Sequence, residues 1–229
     1  MLILRLDAPF GVFRTFTAGS FRPTASFITP SAAYGLLLNI AGIEMRHDNG
    51  KSVATLIRPK GLPAVDIALG ARGALPRQQS MFQQLHNYPV GTSGKEHKAA
   101  AKGNKYNITP TRRAFLSEIH AYIAVRGDEG LEEQVTKGLS GETARTYGLP
   151  FMGDNSFLPD RLEVVEQPEP ARWYEVVDEA DEDGVREDIT RLTVIIDRIK
   201  MENTRSALFA PQQIPSAEIP ERAWVRVAY

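Results

Sequence analysis

The stretch Leu2-Ile-Leu-Arg-Leu-Asp7 sets how the chain begins to fold, because leucine occupies every second position of it. The leucines at positions 2, 4 and 6 lie on one face of an extended chain, and Ile3, Arg5 and Asp7 lie on the other. A hydrophobic period of two predicts a strand with one buried face.

Five further elements follow within residues 1–166. Thr29-Pro30 has the residues of a helix N-cap and of a first helical turn. The apolar periodicity predicts a helix from there to near Gly42, strands around 65–71 and 115–125, a helix around 131–139 and a strand at 162–164. The order is that of the ferredoxin-like (RRM-like) βαββαβ plan, an α+β fold. Its two helices cover one face of an antiparallel sheet, and RNA-recognition domains bind single strands on the other, open face.

An insertion separates the second and third predicted strands. The plan calls for a short hairpin there, but about forty residues intervene, from Gly73 to Arg113. They are rich in Gln, Gly, Lys, Asn and His, with a few aromatic residues. Insertions of this length are usually functional or disordered. Because this one contains apolar and aromatic residues that indicate partial folding, we expect a protruding hairpin or arm over about 73–113.

The last part of the chain differs in composition from the rest. Pro168 and Pro170 mark a boundary, and the segment from Glu175 to Asp188 is strongly acidic. Strands are expected around 192–196 and 224–229. We therefore expect a domain over 1–166 and a small β-rich C-terminal module over 167–229.

Composition excludes several classes of protein. The chain has 229 residues, 42% of them hydrophobic and none cysteine. Such a chain buries a real core but has no disulfide scaffold, no Cys-ligated zinc or iron–sulfur centre and no thiol nucleophile. Its apolar runs are too short to span a bilayer, and no secretory signal is recognised at the N-terminus. We expect a cytoplasmic protein that does not bind membranes.

The net charge of −1 hides a strong asymmetry along the chain. Residues 1–115 contain 15 Lys and Arg against 5 Asp and Glu, whereas residues 116–229 contain 12 against 23. The first part has a net charge of +10 and the second of −11. A basic surface for a polyanion is one interpretation, and mixing of the two parts on folding is the other.

Cations and aromatic rings are interleaved in the basic part, as single-stranded nucleic acid requires. One loop carries Arg14, Phe16, Phe21 and Arg22. The insertion carries Arg77, Phe82, His86, Lys95, His97, Lys98, Lys102, Lys105, Tyr106, Arg112 and Arg113. The alternative is a solvated face with a few core aromatics.

The loop from Arg145 to Ser156, which we call the glycine loop, is a second candidate site. Gly148 and Gly153 allow a backbone to approach a phosphate or a base closely, and a tight turn before a strand is the alternative. The loop is neither a Walker loop nor a dinucleotide fingerprint.

A metal-free ribonuclease site is a third candidate. Cleavage by 2′-hydroxyl attack needs a general base, a general acid and a cation. His97 with Lys95 and Lys98 offers these groups, and Tyr34 is a further donor. No spacing of histidines and carboxylates predicts a metal site, and no cofactor is expected.

Several stretches resemble the fifth CRISPR-associated (Cas) family. Three stretches resemble the opening of the sequences of that family: Leu2-Ile-Leu-Arg-Leu-Asp-Ala-Pro-Phe10, Phe13-Arg14, and Thr29-Pro-Ser-Ala-Ala-Tyr-Gly-Leu-Leu-Leu38 with Gly42. Gly148-Leu-Pro-Phe-Met-Gly-Asp-Asn155 is similar to the glycine-rich stretch near the end of its first domain. The insertion stands where the family has its thumb hairpin.

The resemblance implies a RAMP subunit of a type I Cascade complex that holds the 5′ handle of the crRNA. Its thumb is expected to contact the adjacent backbone subunit, and its body the large subunit that recognises the protospacer-adjacent motif. One subtype instead processes precursor RNA with a Tyr, Lys and His set, to which His97-Lys98 is the nearest match here. The adjacent Lys–His order of that set is not reproduced in this sequence, and this departure favours a non-catalytic subunit. A processing endoribonuclease and a free-standing RNA-binding domain are the alternatives.

The expected RNA contacts come from the Arg14–Arg22 loop, the start of the first helix, the arm and the glycine loop. They are Arg14, Phe16, Arg22, Ser31, Tyr34, Arg77, Gln79, Phe82, His86, Lys95, His97, Lys98, Lys102, Lys105, Arg112, Arg113, Gly148, Gly153 and Asn155.

Overall fold

A computed structural model describes residues 1–15, 21–47, 56–58, 60–87, 107–144, 148–178, 188–198 and 200–229. The α-helices are α1 (Pro30–Ile40) and α2 (Glu129–Ser140). The strands are β1 (Leu2–Gly11), β2 (Arg46–His47), β3 (Leu56–Ile57), β4 (Val65–Ala71), β5 (Arg77–Asn87), β6 (Asn107–Arg126), β7 (Arg161–Val164), β8 (Arg172–Val176), β9 (Thr190–Ile195), β10 (Arg205–Pro211) and β11 (Val225–Val227). Short 3₁₀ turns stand at Met201–Asn203 and Glu221–Ala223. None of the helices in the described part of the chain is long and apolar enough to cross a membrane.

Both α-helices begin and end at the residues that helix chemistry favours. The Thr29 hydroxyl accepts from the Ala32 amide, and Pro30 is the first residue of α1. The Asp128 carboxylate caps α2 by accepting from the Leu131 amide at 2.8 Å. Gly141 ends α2 in the left-handed conformation that a C-cap requires. The predicted strand 2–7 and both predicted helices are confirmed.

The sheet is mostly antiparallel, and its main path runs β7-β1-β6-β4-β8-β10-β9. The first half of β6 pairs with β5, and its second half lies between β1 and β4. One core, formed by α1, α2 and the leucines of β1, covers one face. The chain is therefore a mixed α/β protein with two α-helices in its described part.

The face opposite that core was expected to be open, and this expectation is wrong for the part of the face around Tyr122 and Ala68. Trp173 of β8 is fully buried there and stacks on Tyr122 of β6, with ring centroids 6.2 Å apart. Its indole N–H donates to the Ser216 carbonyl at 3.0 Å. The ring lies so close to Gly70 that a Cβ on Gly70 would stand 2.9 Å from it. A second, smaller core thus covers this part of the sheet.

The C-terminal residues continue the same sheet. Strand β4 pairs along one edge with β6, and its other edge pairs with β11 at one end and with β8 at the other. Strands β10 and β9 follow beyond β8. The division at residue 166 stays a prediction, and residues 179–187 of the acidic segment lie outside the described residues.

Candidate nucleic-acid interface

Four arginines from distant parts of the chain meet at the base of the β5–β6 hairpin. The Arg22 amide donates to the Arg112 carbonyl at 2.9 Å, and the Ala114 amide donates to the Arg22 carbonyl at 2.8 Å. This short pairing places Arg22 beside Arg112 and Arg113. Arg14 enters the group through its pairing with Thr24. We call Arg14, Arg22, Arg112 and Arg113 the arginine cluster.

The electrostatics of Arg14 show how close these charges are. Partial burial of its guanidinium, and then the charges of Arg113 and Arg22, lower the pKa of Arg14 from its usual value. The group stays protonated because an arginine pKa lies far above neutral pH. Repulsion among like charges is relieved when an anion enters between them. The cluster therefore concentrates positive charge, which favours an anionic ligand.

Exposed aromatic rings flank the same cluster. The Arg112 guanidinium stands 6.0 Å from the centroid of Phe21, which is 42% exposed. Phe82 lies directly opposite Arg112 in the register of β5 and β6 and is 83% exposed. Rings exposed to this degree, next to a cation, have the composition of a stacking surface for unpaired bases.

Arg113 is the member of the cluster that is buried. Its guanidinium stands 2.6 Å from the Asp154 carboxylate and donates to the Gln83 amide oxygen at 3.2 Å. It also lies 5.8 Å from the ring centroid of Phe157. Since the side chain is only 6% exposed, Arg113 attaches the glycine loop to the arm and offers little surface to a ligand. We leave it out of the proposed contact set for that reason.

The glycine loop packs onto the end of β1. The Val12 amide donates to the Met152 carbonyl at 2.9 Å, and Gly153 has a φ of +74°. A Cβ on Gly153 would stand 1.7 Å from the Val12 carbonyl oxygen. The glycine at 153 therefore serves a close approach within the protein. Gly148 and Asn155 are exposed, and the Gly148 carbonyl accepts from the Asn39 side chain at 3.1 Å.

Ser31 and Tyr34 were expected to contact RNA, and the structure places both in the core. Tyr34 is fully buried, its hydroxyl donates to the Pro63 carbonyl at 2.7 Å, and its ring stacks on Tyr229. Burial raises the pKa of the Tyr34 hydroxyl well above its usual value. Ser31 is 8% exposed, with its hydroxyl 3.1 Å from that of Thr29. Neither side chain is available to a ligand in this structure.

The remaining expected contacts belong to the arm. Arg77 is exposed and stands 3.3 Å from Glu118, and the Gln79 side chain donates to the Ser117 hydroxyl at 2.8 Å. His86 belongs to β5, but its side chain is not among those described. The expected contacts outside the described residues are Phe16, Lys95, His97, Lys98, Lys102 and Lys105.

The sequence reasoning missed an aromatic group beside the glycine loop. Phe10 is 42% exposed and contacts Phe115 and Phe157, with centroids 5.6 and 5.9 Å away. Phe151, which belongs to the glycine loop itself, is 43% exposed. The predicted strand ended at Asp7, three residues before Phe10. The period of two therefore made no prediction for Phe10, and no motif marked it as a site residue.

The described residues contain no group of three or more histidines and carboxylates that would hold a metal ion. Asp154 is the acidic partner in this region, and it is engaged by Arg113. The surface therefore offers positive charge and flat rings, which suits binding of an anionic chain.

Comparison with known proteins identifies the family of this chain and similar folds. Residues 1–218 match the family described as CRISPR-associated protein (Cas_Cas5). A solved CRISPR RNA-guided surveillance complex contains a chain that is 17% identical, with a TM-score of 0.57 over 96% of this chain and 94% of that one. A crystal structure of a Cas protein is 16% identical, with a TM-score of 0.51 over 93% and 94%. No curated protein matched. Because the family match spans nearly all of it, this chain belongs to the CRISPR-associated Cas_Cas5 family.

Proposed function

We propose that this protein is a non-catalytic, crRNA-binding subunit of a type I CRISPR Cascade complex. It holds the 5′ handle of the crRNA and bridges the backbone and large subunits, in antiviral defence or RNA-guided DNA targeting. The arginine cluster with its exposed rings is the observation that carries the proposal. Family membership and the likeness to a chain of a surveillance complex support it.

The strand order supports a ferredoxin-like core of the expected plan. Strands β7, β1, β6 and β4 are neighbours in that order, α1 connects β1 to β4, and α2 connects β6 to β7. In RNA-recognition domains of this plan, bases stack on the open sheet face. Trp173 covers that region here. The RNA therefore runs across the base of the arm, where Arg14, Arg22 and Arg112 lie.

A salt titration tests the RNA interface. Replacing Arg14 and Arg22 with Ala removes two candidate phosphate contacts, and each lost contact lowers the salt slope of single-strand binding by about 0.7. We expect weaker binding of a handle RNA and a flatter dependence of log K on log salt, measured by filter binding. Arg161→Ala is the matched control, because Arg161 is an exposed arginine on β7. An unchanged slope in the Arg14 and Arg22 variant places the RNA elsewhere.

Assembly is tested through the arm. Replacing residues 79–106 with a short linker removes most of the hairpin and leaves the β1–β6–β4 pairing intact. We expect a folded protein that no longer assembles with the backbone subunit. Normal assembly of the variant places the contact with the backbone subunit outside the arm, and global unfolding places the insertion in the core. Failure of the unaltered protein to assemble argues for a free-standing RNA-binding domain.

The alternative of an endoribonuclease is tested directly. Tyr34, one of its proposed donors, is buried and already hydrogen-bonded to Pro63. We expect purified protein to retain repeat RNA without cutting it in EDTA at neutral pH. Site-specific cleavage that is lost in His97→Ala contradicts the non-catalytic assignment.

A further inference from the structure

A second polar site lies at the end of β4, beside the middle of β1 and of β6, on the face opposite the helices. It is a cavity of about 370 Å³ lined by Arg5, Asp7, Arg72, His120 and Glu169, among other residues. None of these side chains belongs to the arginine cluster or was singled out from the sequence. The site is independent of the proposed RNA interface.

Asp7 gathers three cationic or potentially cationic side chains. One oxygen of its carboxylate is 2.6 Å from Nδ1 of His120 and also accepts from Arg72, and the other accepts from Nε of Arg5 at 3.1 Å. Burial opposes ionisation of Asp7, but the hydrogen bond from His120 and the charge of Arg72 outweigh it and lower the pKa of the carboxyl. Asp7 thus stays charged and holds the three groups in fixed directions.

Arg72 leaves a donor without an acceptor. Its Nε is buried and has no hydrogen-bond partner among the residues that the structure describes. The guanidinium is held in place by Asp7 and by the ring of Tyr122, whose centroid is 5.5 Å away. A buried N–H without a partner is uncommon in proteins and calls for an acceptor such as a bound ion. An acceptor oxygen placed near Nε of Arg72 would satisfy this donor.

The two remaining carboxylates near the site are weakly held. Glu163 stands 3.6 Å from Arg5 and is 44% exposed, and Glu169 stands 3.7 Å from Arg72 and is 73% exposed. Exposed ion pairs of this length contribute little to stability, because water solvates both partners. An anion with better geometry displaces them at small cost.

We propose that this cavity binds a phosphate group, with Arg5, Arg72 and His120 as donors and Asp7 as the residue that positions them. The planar donors of arginine match the oxygens of a phosphate, and Asp7 holds Arg5 and Arg72 beside each other. His120 is 52% exposed, and because its Nδ1 faces Asp7, its Nε2 is the nitrogen left for the anion. A protonated imidazole donates through both nitrogens, so one His120 ring can contact Asp7 and an anion together.

Nuclear magnetic resonance of the full chain tests the site with inorganic phosphate as the probe. At about pH 6, the His120 ring resonance, assigned by its loss in His120→Gln, should move and saturate with phosphate but not with chloride at equal ionic strength. A 5′-phosphorylated dinucleotide and its unphosphorylated form are titrated in parallel. Saturation by free phosphate alone identifies a small-anion site, and tighter binding of the phosphorylated dinucleotide identifies a nucleic-acid phosphate. Absence of saturation in every arm overturns the proposal.

Two variants and a control separate this site from general charge effects. Arg5→Gln and His120→Gln each remove one donor, and we expect phosphate affinity at least about tenfold lower in each. The His120 resonance reports on Arg5→Gln, and isothermal titration calorimetry compares His120→Gln with the unaltered protein. Arg161→Gln is the matched control, since Arg161 pairs in register with Asp7 but does not line the cavity. Affinity that is unchanged in both cavity variants overturns the proposal. The Arg14 and Arg22 variant keeps phosphate binding here even if its RNA binding is lost, so the two hypotheses fail separately.

Discussion

The ion pair between Arg113 and Asp154 joins the arm to the glycine loop, and its removal tests whether Arg113 is structural. Both side chains are largely buried, 6% and 15% exposed, and 2.6 Å apart. Removing one partner of a buried pair leaves an uncompensated charge and costs about 3–5 kcal/mol. Arg113→Ala also removes the contacts to Gln83 and Phe157. We expect a loss of stability at the upper end of that range.

Urea unfolding followed by circular dichroism measures this loss. Arg112→Ala is the matched control, because Arg112 is the next residue along β6 and is exposed. A surface substitution of that kind changes stability by about 0.5 kcal/mol or less. In Arg113→Ala the unfolding midpoint should fall with an unchanged m-value, and the folded protein should still bind handle RNA.

Asp154→Asn provides the second half of the measurement. It leaves Arg113 buried without its counter-ion, so it should destabilise the protein by an amount similar to Arg113→Ala. The double variant should be more stable than the sum of the single losses predicts, because the two residues are in direct contact. A loss in Arg113→Ala no larger than that in Arg112→Ala would refute a structural role for Arg113.

Three further perturbations test the packing of the site and of the sheet. Gly153→Ala should lower the free energy of unfolding, measured in urea, by at least about 2 kcal/mol, because residue 153 has a positive φ and a Cβ there would clash with Val12. Gly61→Ala is the control, since Gly61 has a similar φ with open space around it, and it should cost about 1 kcal/mol. Trp173→Ala should cost about 3–5 kcal/mol by thermal unfolding, since the ring is fully buried. Burial opposes ionisation of Asp7 and Asp154, but the donors bound to each carboxylate outweigh it and lower the folded-state pKa of both. The stabilisation by these carboxylates is therefore present above about pH 4 and is lost as pH falls through the folded pKa values. The urea midpoint should drop between about pH 5 and pH 2, and an unchanged midpoint would contradict this linkage.

The elements that depend on local chemistry were predictable from the sequence. Strand β1 follows from a period of two, and α1 and α2 follow from their caps and apolar stripes. Tyr34 was also within reach of this reasoning. It stands three positions before Leu37 on the buried stripe of α1, a spacing that predicts a shared face. The motif in which it occurs had suggested a ligand contact, whereas the helix period indicates burial.

The covered sheet face was not predictable in the same way. Trp173 reaches Tyr122 because β8 pairs with β4 at Gly70, a contact between residues about a hundred positions apart. No period or cap within residues 167–229 indicates which strand edge they join. The cavity around Asp7 has the same origin, since its donors come from β1, from the end of β4 and from β6.

The arginines of the interface show how sequence and fold divide the work of finding a site. Composition alone located the positive charge in residues 1–115, and the cluster lies there. It gave no means of ranking Arg112 against Arg113, which are adjacent and chemically identical. Side chains alternate along a strand, so one of the two points toward the glycine loop and is buried, while the other remains exposed. Under the proposed function, the exposed Arg112 contacts the RNA and the buried Arg113 holds the glycine loop. Arg113→Ala should therefore weaken the fold before it weakens RNA binding.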